Sequence, residues 1–224
     1  YPYTHILSRD LGGVVTWGDF CTRLAAWEQS LRNCEAGSVA LYHRDGVEFL
    51  AALIALWRLG KQAILPANNL PEPSVALRAV TDCFAGDFPA LEGVVNPHDT
   101  PHSTPAVLEL PTPDVPALIL YTSGSSGAPE AVPKSFAQLE AELAALERLR
   151  GVQMEGACVT GSVSHQHIYG LLFRLLWPLV SGRAFVRQER DYWEELAQDA
   201  TRFAPAAIIT SPAHLNRLPP NFQI

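Results

Sequence analysis

Nothing in this 224-residue chain is apolar for long enough to cross a bilayer; its longest apolar run, residues 171–180, is broken by Arg174 and Pro178. No N-terminal secretory pattern is present, and no initiator methionine opens the chain, so its start reads as trimmed. Positive charge is scarce. The 16 Lys and Arg stand against 23 Asp and Glu, a formal net charge of −7. That balance argues against nonspecific binding to nucleic acid or to an anionic membrane, while leaving room for a local basic site for a nucleotide. The four cysteines, Cys21, Cys34, Cys83 and Cys158, are scattered and form no C-x-x-C pair. Their spacing speaks against a zinc site or a disulfide framework, and for buried free thiols in a reducing cytoplasm. No internal repeat is visible. With 48% apolar and 17% charged residues, the composition is globular. The length suffices for one large domain or two small ones.

What the chain does have is an alternation of helical and extended patterns. Thr16-Trp17-Gly18-Asp19 reads as a capping box, with Trp17, Phe20, Leu24, Trp27 and Leu31 on one apolar stripe. Residues 38–43 read as a strand. Asp45-Gly46-Val47-Glu48 opens a second helix, which runs to about Leu59 with Gly60 as its cap. A strand at 62–65, a helix around 74–84 and a strand near Val94 follow. Residues 96–116 carry prolines at 97, 101, 105, 111, 113 and 116. They read as a connector with a short strand at 106–110, and as the best candidate for an internal boundary. Beyond it, Ser135 with Gln138 caps a helix, and 158–161 is a strand. Residues 168–179 form an apolar helix closed by Gly182. Further on, 183–187 is a strand, Asp191 with Glu194 caps a helix through Phe203, and 206–210 is a last strand. The expected class is α/β, with mixed, largely parallel sheets and flanking helices.

The apolar run Ala117-Leu118-Ile119-Leu120 opens into Tyr121-Thr122-Ser123-Gly124-Ser125-Ser126-Gly127-Ala128-Pro129. Glycines let a backbone turn N–H groups toward an anion, and hydroxyls add donors without bulk. In parallel sheets, ligands sit beyond the carboxyl ends of strands, where this loop emerges. It is not a Walker A motif, it lacks G-x-G-x-x-G, and its serines do not fit a G-x-S-x-G elbow. By composition alone, an anion cradle and a flexible Ser/Gly turn both remain open.

The whole stretch resembles the phosphate loop of the adenylate-forming superfamily, which reads Y-T-S-G-[ST]-[ST]-G-x-P-K-G. His167-Ile168-Tyr169-Gly170-Leu171, with Leu175-Leu176-Trp177-Pro178-Leu179 and Gly182, resembles that family's H-x-x-G-L…L-L-x-P-L…G segment. Residues 53–66 and Ser211-Pro212-Ala213-His214-Leu215 add weaker matches. Around Ser164-His165-Gln166-His167-Ile168-Tyr169-Gly170, the chain is most similar to acyl- or aryl-acid ligases of bacterial fatty-acid and aryl-polyene pigment clusters.

This resemblance implies the large N-terminal domain of an adenylate-forming enzyme, with residues 1–224 as its N-terminal portion. It implies ATP-dependent activation of a fatty or aromatic carboxylic acid. An acyl-adenylate would form first, then a thioester with CoA or with the phosphopantetheine of an acyl carrier protein. ATP with Mg²⁺ would be bound; neither nucleic acid nor a resident metal site is implied. Thr122, Ser123, Gly124, Ser125, Ser126 and Gly127 would hold the β- and γ-phosphates. His167 would stand near the carboxylate, with Ile168, Tyr169 and Leu172 lining the acyl side. The chain departs from the pattern at Glu130 and Ala131, where Lys and Gly are usual. A carboxylate there opposes phosphate binding, and Lys134 is the candidate replacement, against the reading of an ordinary solvated lysine. The family's Y-G-x-T-E segment and C-terminal lysine do not occur by Ile224, so the chain reads as part of a longer enzyme that does not complete the reaction alone. The alternative is a nucleotide-binding module that has lost catalysis.

Other constellations compete. His165 and His167 alternate and suit one face of an extended segment, but no further ligand joins them for a metal. A packed, hydrogen-bonded His167 is the plainer alternative to a pocket role. Arg183, Arg187 and Arg190 form a small basic cluster, read as solvated surface or as a face for an acidic carrier protein. Trp17, Trp27, Trp57 and Trp193 fall on helix stripes and are expected in the core.

Overall fold

The computed structural model describes residues 1–97, 116–123, 129–219 and 222. The chain divides into two compact units, residues 18–141 and residues 1–17 with 142–224. Most of the proline-rich connector lies outside the described residues, as does the strand expected at 106–110.

The unit of residues 18–141 is built on a five-stranded sheet of order β5-β3-β4-β6-β7. Its strands are β3 (Ser38–Tyr42), β4 (Gln62–Leu65), β5 (Phe84–Gly86), β6 (Pro116–Ser123) and β7 (Pro129–Ser135). β5, β3, β4 and β6 pair in parallel, and β7 closes the edge antiparallel to β6. Helix α1 (Trp17–Leu31) buries Phe20, Leu24, Trp27 and Leu31 of the expected stripe, while Trp17 at its start is half-buried. Helix α2 (Gly46–Arg58) starts where Asp45 accepts hydrogen bonds from Val47 N and Glu48 N at 2.9 and 3.3 Å. The Glu48 carboxylate turns instead to Arg23 and to the Trp27 indole. Apart from Glu48 and Arg58, every residue of α2 is buried, as an apolar helix serving a parallel sheet requires.

Two local expectations in this unit give way. The helix read at 74–84 is only α3 (Pro71–Ala76) with one 3₁₀ turn (Leu77–Ala79). The Thr81 hydroxyl then donates to the Ser38 carbonyl at 2.7 Å, and the chain enters β5 beside β3; strand pairing overrides helical pattern here. Cys34 and Cys83, expected as free thiols, form a disulfide. They precede the neighbouring parallel strands β3 and β5, so both lie at one edge of the sheet. Their Cα atoms stand 6.6 Å apart, a span a disulfide bridges. Cys21 and Cys158 are the expected buried free thiols.

The other unit has a five-stranded sheet of order β10-β8-β9-β1-β2. It comprises β1 (Ile6–Asp10), β2 (Gly13–Thr16), β8 (Cys158–Gly161), β9 (Phe185–Val186) and β10 (Ala206–Ile209). Again one edge pair, β1 with β2, is antiparallel and the rest are parallel. Helix α4 (Phe136–Arg150) starts at the expected Ser135–Gln138 capping box. The apolar helix after His167 comprises α5 (Ile168–Gly170), a π-helical turn (Leu171–Leu176) and α6 (Trp177–Ser181). Gly182 ends it in the left-handed conformation, φ 71°. Helix α7 (Trp193–Arg202) is capped by Glu195, whose carboxylate accepts from Asp191 N and Tyr192 N, rather than by the expected Glu194. A short α8 (Pro212–Leu215) follows β10. The mixed, largely parallel α/β class is as the sequence led us to expect.

Candidate functional site

The hydroxyl-rich loop leaves the carboxyl end of β6. That strand is anchored on both sides. Ala117 and Leu118 are fully buried, and the Trp57 indole N–H donates to the Ala117 carbonyl at 2.8 Å. Tyr121 packs on a cluster of Ala40, Ile64, Phe84 and Phe88. The ladder to β7 closes at Ser123 opposite Pro129, with Thr122 opposite Glu130. The residues between, including Gly124, Ser125, Ser126 and Gly127, lie outside the described residues. The hairpin thus presents both ends of the loop beyond the carboxyl end of β6, where ligands sit in largely parallel sheets.

The segment before helix α4 does not curl, as the role suggested for Lys134 requires. It is strand β7, and Lys134 stands opposite Leu118, five ladder positions below the Ser123–Pro129 pair. That is about 17 Å at the usual strand rise, beyond the reach of one lysine side chain. The structure therefore does not bring Lys134 to the described ends of the loop.

In the other unit, β8 ends at Gly161 and residues 162–167 lead into α5. His167 sits at the start of that helix with extended backbone, φ −103° and ψ 149°, and is exposed. His165 is buried, 2% exposed, so the two histidines do not share a face toward a common ligand. Among the described residues no group of three His, Cys, Asp or Glu side chains gathers as a metal site. Ile168 is half-buried, and Leu172 is buried. Tyr169 is 41% exposed, and its hydroxyl donates to the Thr210 carbonyl at 3.3 Å. His167, Ile168, Tyr169 and Leu172 are thus together at one helix start.

A model of a family of AMP-binding enzymes matches residues 61–223, which include both the loop and the histidine segment. The chain belongs to the AMP-binding enzyme family. It is 26% identical over 230 residues to a sulfoacetate–CoA ligase of Cupriavidus necator, covering 90% of this chain and 44% of that protein. A 99-residue stretch is 34% identical to a 4-coumarate–CoA ligase of Rhodobacter capsulatus, covering 43% of this chain and 25% of that protein. The chain therefore spans less than half the length of these curated relatives. The fold matches that of O-succinylbenzoate coenzyme A synthetase from Bacillus subtilis in complex with AMP. The TM-score is 0.77 at 19% identity, over 96% of this chain and 60% of that one.

This AMP-binding family member carries further polar groups, of which only His214 lies in a segment singled out from the sequence. Ser162 follows β8 and Thr210 follows β10, and their hydroxyls lie 2.9 Å apart. His214 Nδ1 lies 2.5 Å from the Ser162 hydroxyl and 3.3 Å from that of Thr210. The Trp193 indole stacks on the His214 ring at 4.8 Å. These donors and acceptors crown the carboxyl edge of a parallel pair, beside the Tyr169 contact. Their signal in the sequence is faint: each hydroxyl is merely the first polar residue after an apolar strand.

Buried charge is the second feature missed. Asp199, 2% exposed, takes a two-pronged contact from Arg190 at 2.8 and 3.1 Å and a hydrogen bond from the Thr160 hydroxyl at 2.8 Å. Arg174, 1% exposed, lies 4.0 Å from the Glu189 carboxylate. Burial draws the Arg174 guanidinium down to about 10 and pushes the Glu189 carboxyl up. The basic cluster resolves into separate pairs: Arg183 with Glu147, Arg187 with Asp10, and Arg190 with Asp199.

Proposed function

We propose that this chain is the N-terminal portion of an ATP-dependent acid–thiol ligase, which activates a fatty or aromatic carboxylic acid as its acyl-adenylate and passes the acyl group to a thiol. One observation carries the reading: the AMP-binding family match runs through both the loop and the 167–182 segment. Relatives named as CoA ligases support CoA as acceptor; the phosphopantetheine of an acyl carrier protein is the other thiol of the same chemistry. A supply of ATP and CoA fits a cytoplasmic enzyme.

In the proposed reaction, the acid's carboxylate attacks the α-phosphorus of Mg·ATP, forming the mixed anhydride and releasing pyrophosphate. The thiol then attacks the acyl carbon and AMP leaves. Such chemistry asks the protein for positioning and for stabilisation of developing phosphate charge. We assign the β- and γ-phosphates to backbone N–H groups and hydroxyls of Thr122, Ser123, Gly124, Ser125, Ser126 and Gly127. We assign the carboxylate end of the acid to His167, and its acyl body to Ile168, Tyr169 and Leu172. We leave Lys134 out of this assignment, because β7 sets it five ladder positions from the described ends of the loop. That same placement favours the second reading, a nucleotide-binding module without catalysis. Acid-dependent exchange of pyrophosphate into ATP by the full-length protein, run across short, long and aromatic acids, separates the two. Exchange with at least one acid class is expected. A folded protein that binds ATP and exchanges with none belongs to the second reading.

A further inference from the structure

We infer that Arg174 and Glu189 are positioning residues that fix the backbone of segment 163–167, and through it His167. The functional part of this inference rests on the ligase reading above.

Arg174 is among the largest fully buried side chains of the protein, and it sits in the π-helical turn Leu171–Leu176 that follows the histidine segment. π-Turns inside helices recur at functional sites. A guanidinium taken out of water costs several kcal/mol unless its donors are matched, so its partners show what it holds. They are not in its own helix. Nη1 donates to the Val163 carbonyl at 2.6 Å, and Nη2 to the Gln188 carbonyl at 3.0 Å. One fork therefore ties the loop after β8 to the chain leaving β9.

The second tie runs through Glu189. Its carboxylate faces Arg174 on one side and is hydrogen-bonded by the Ser164 side chain on the other. Ser164 is the hub of the segment. Its hydroxyl accepts from Gln166 N at 3.3 Å, and its carbonyl accepts from His167 N at 3.3 Å. Gly170 lies so close to Ser164 that any side chain there would collide with the Ser164 carbonyl. The His167 carbonyl in turn accepts from Leu171 N at 2.8 Å. The residues before His167 are thus held by Arg174 at Val163 and by Glu189 at Ser164. An apolar residue of similar volume in place of Arg174 would fill the same space without desolvating a charge, but it would leave the Val163 and Gln188 carbonyls without this partner.

The test uses the full-length protein with Arg174→Met, Arg174→Lys and Glu189→Gln. It has two arms: acid-dependent pyrophosphate exchange, with separate KM values for acid and ATP, and hydrogen exchange of the backbone amides of 164–167. Arg174→Met is expected to lower kcat/KM for the acid by about 10²-fold, the loss a misplacement near 1 Å brings. KM for ATP should stay within about twofold, since the fork's partners, Val163 and Gln188, are not among the residues assigned to the phosphates. Amides of 164–167 should exchange faster while β8 and β10 keep their protection. Glu189→Gln should give a smaller loss of the same kind, and Arg174→Lys a partial rescue. If Arg174→Met does not fold, the other two variants decide. Unchanged acid kinetics in folded variants overturns the inference, and so does a loss shared equally by acid and ATP that follows the unfolding midpoint. If the wild-type protein exchanges with no acid, the ligase reading fails separately, and amide exchange still decides whether Arg174 holds the segment.

Discussion

Helix α2 in one unit and the π-helical turn in the other are both sealed from solvent, but they are sealed by different chemistry. Around α2 the interior is apolar: Phe49, Leu50, Leu53 and Leu56 are fully buried, and the polar residues sit at its ends. Leu171, Leu175 and Leu176 are buried too, yet Arg174 lies among them, and Asp199, Thr160 and His165 are buried in the same unit. Apolar burial is non-directional; it stabilises a sheet but specifies little about which way a loop points. Hydrogen-bonded buried charge is directional, and it is costly when half-satisfied. Arg174 and Asp199 lie in the unit that carries the 162–167 segment, whereas the buried charge of the other unit, Asp45, caps the start of α2.

The contrast is broken most directly at Asp199. Replacing it with Asn keeps the shape but leaves Arg190 without its charge partner at a site where the pair is 11% and 3% exposed. Breaking a buried pair from one side costs about 3–5 kcal/mol. The urea midpoint of the Asp199→Asn protein should fall accordingly, with lost amide protection concentrated in β8 and β10. Leu53→Ala in α2 removes a fully buried side chain and should cost about 2–5 kcal/mol through lost transfer energy and a cavity, with lost protection confined to the other unit. If Asp199→Asn proves nearly neutral while Leu53→Ala does not, directional charge is not what holds the unit of residues 1–17 and 142–224, and the comparison fails.

The same contrast explains what was legible beforehand. Apolar periodicity marked α1, α2, β3 and β4, because burial is encoded residue by residue in side-chain type. Capping chemistry marked the starts of α2 and α4, since Asp45 and Ser135 act on neighbours in sequence. Long-range partnerships left no such trace. Arg174 reads as an interruption in an apolar run, and only the fold brings Val163, Gln188 and Glu189 around it. Strand β7 was missed because its residues, Pro129–Ser135, lack apolar alternation and acquire their conformation from β6. That miss also misplaced Lys134. The Cys34–Cys83 pair was missed for the same reason, since only the β3–β5 pairing makes the two neighbours.

A finer probe sits within the unit of residues 18–141, where a buried side-chain hydrogen bond serves β6. Trp57→Phe keeps most of the ring but removes the donor to the Ala117 carbonyl, a buried contact of 2.8 Å. Leaving that acceptor unpaired should cost about 1–3 kcal/mol, read as a lower urea midpoint and faster exchange along β6. A loss below that range would mean that even here apolar packing alone anchors the strand under the hydroxyl loop.

The smallest effect is expected where charge is directional but wet. Glu147 on α4 accepts from Arg183 at 2.6 and 2.9 Å and from the Trp177 indole at 2.7 Å. The Arg183 contact first, and the Trp177 hydrogen bond after it, hold the Glu147 carboxyl down at about 2, from an ordinary 4.5. A carboxyl depressed in the folded state stabilises fully above its unfolded value, and loses that contribution as the pH falls through the folded value. The window is therefore from about 4.5 down to about 2. Because the Glu147 side chain is 46% exposed, solvent screens the pair, and its worth should stay within about 0–1 kcal/mol. The difference in Tm between wild type and Glu147→Gln should be small and flat above pH 5, shrink through the window, and vanish near its lower end. A difference as large as that of Asp199→Asn, or one that persists at the lowest pH, would show that burial is not what separates the two kinds of charge in this unit.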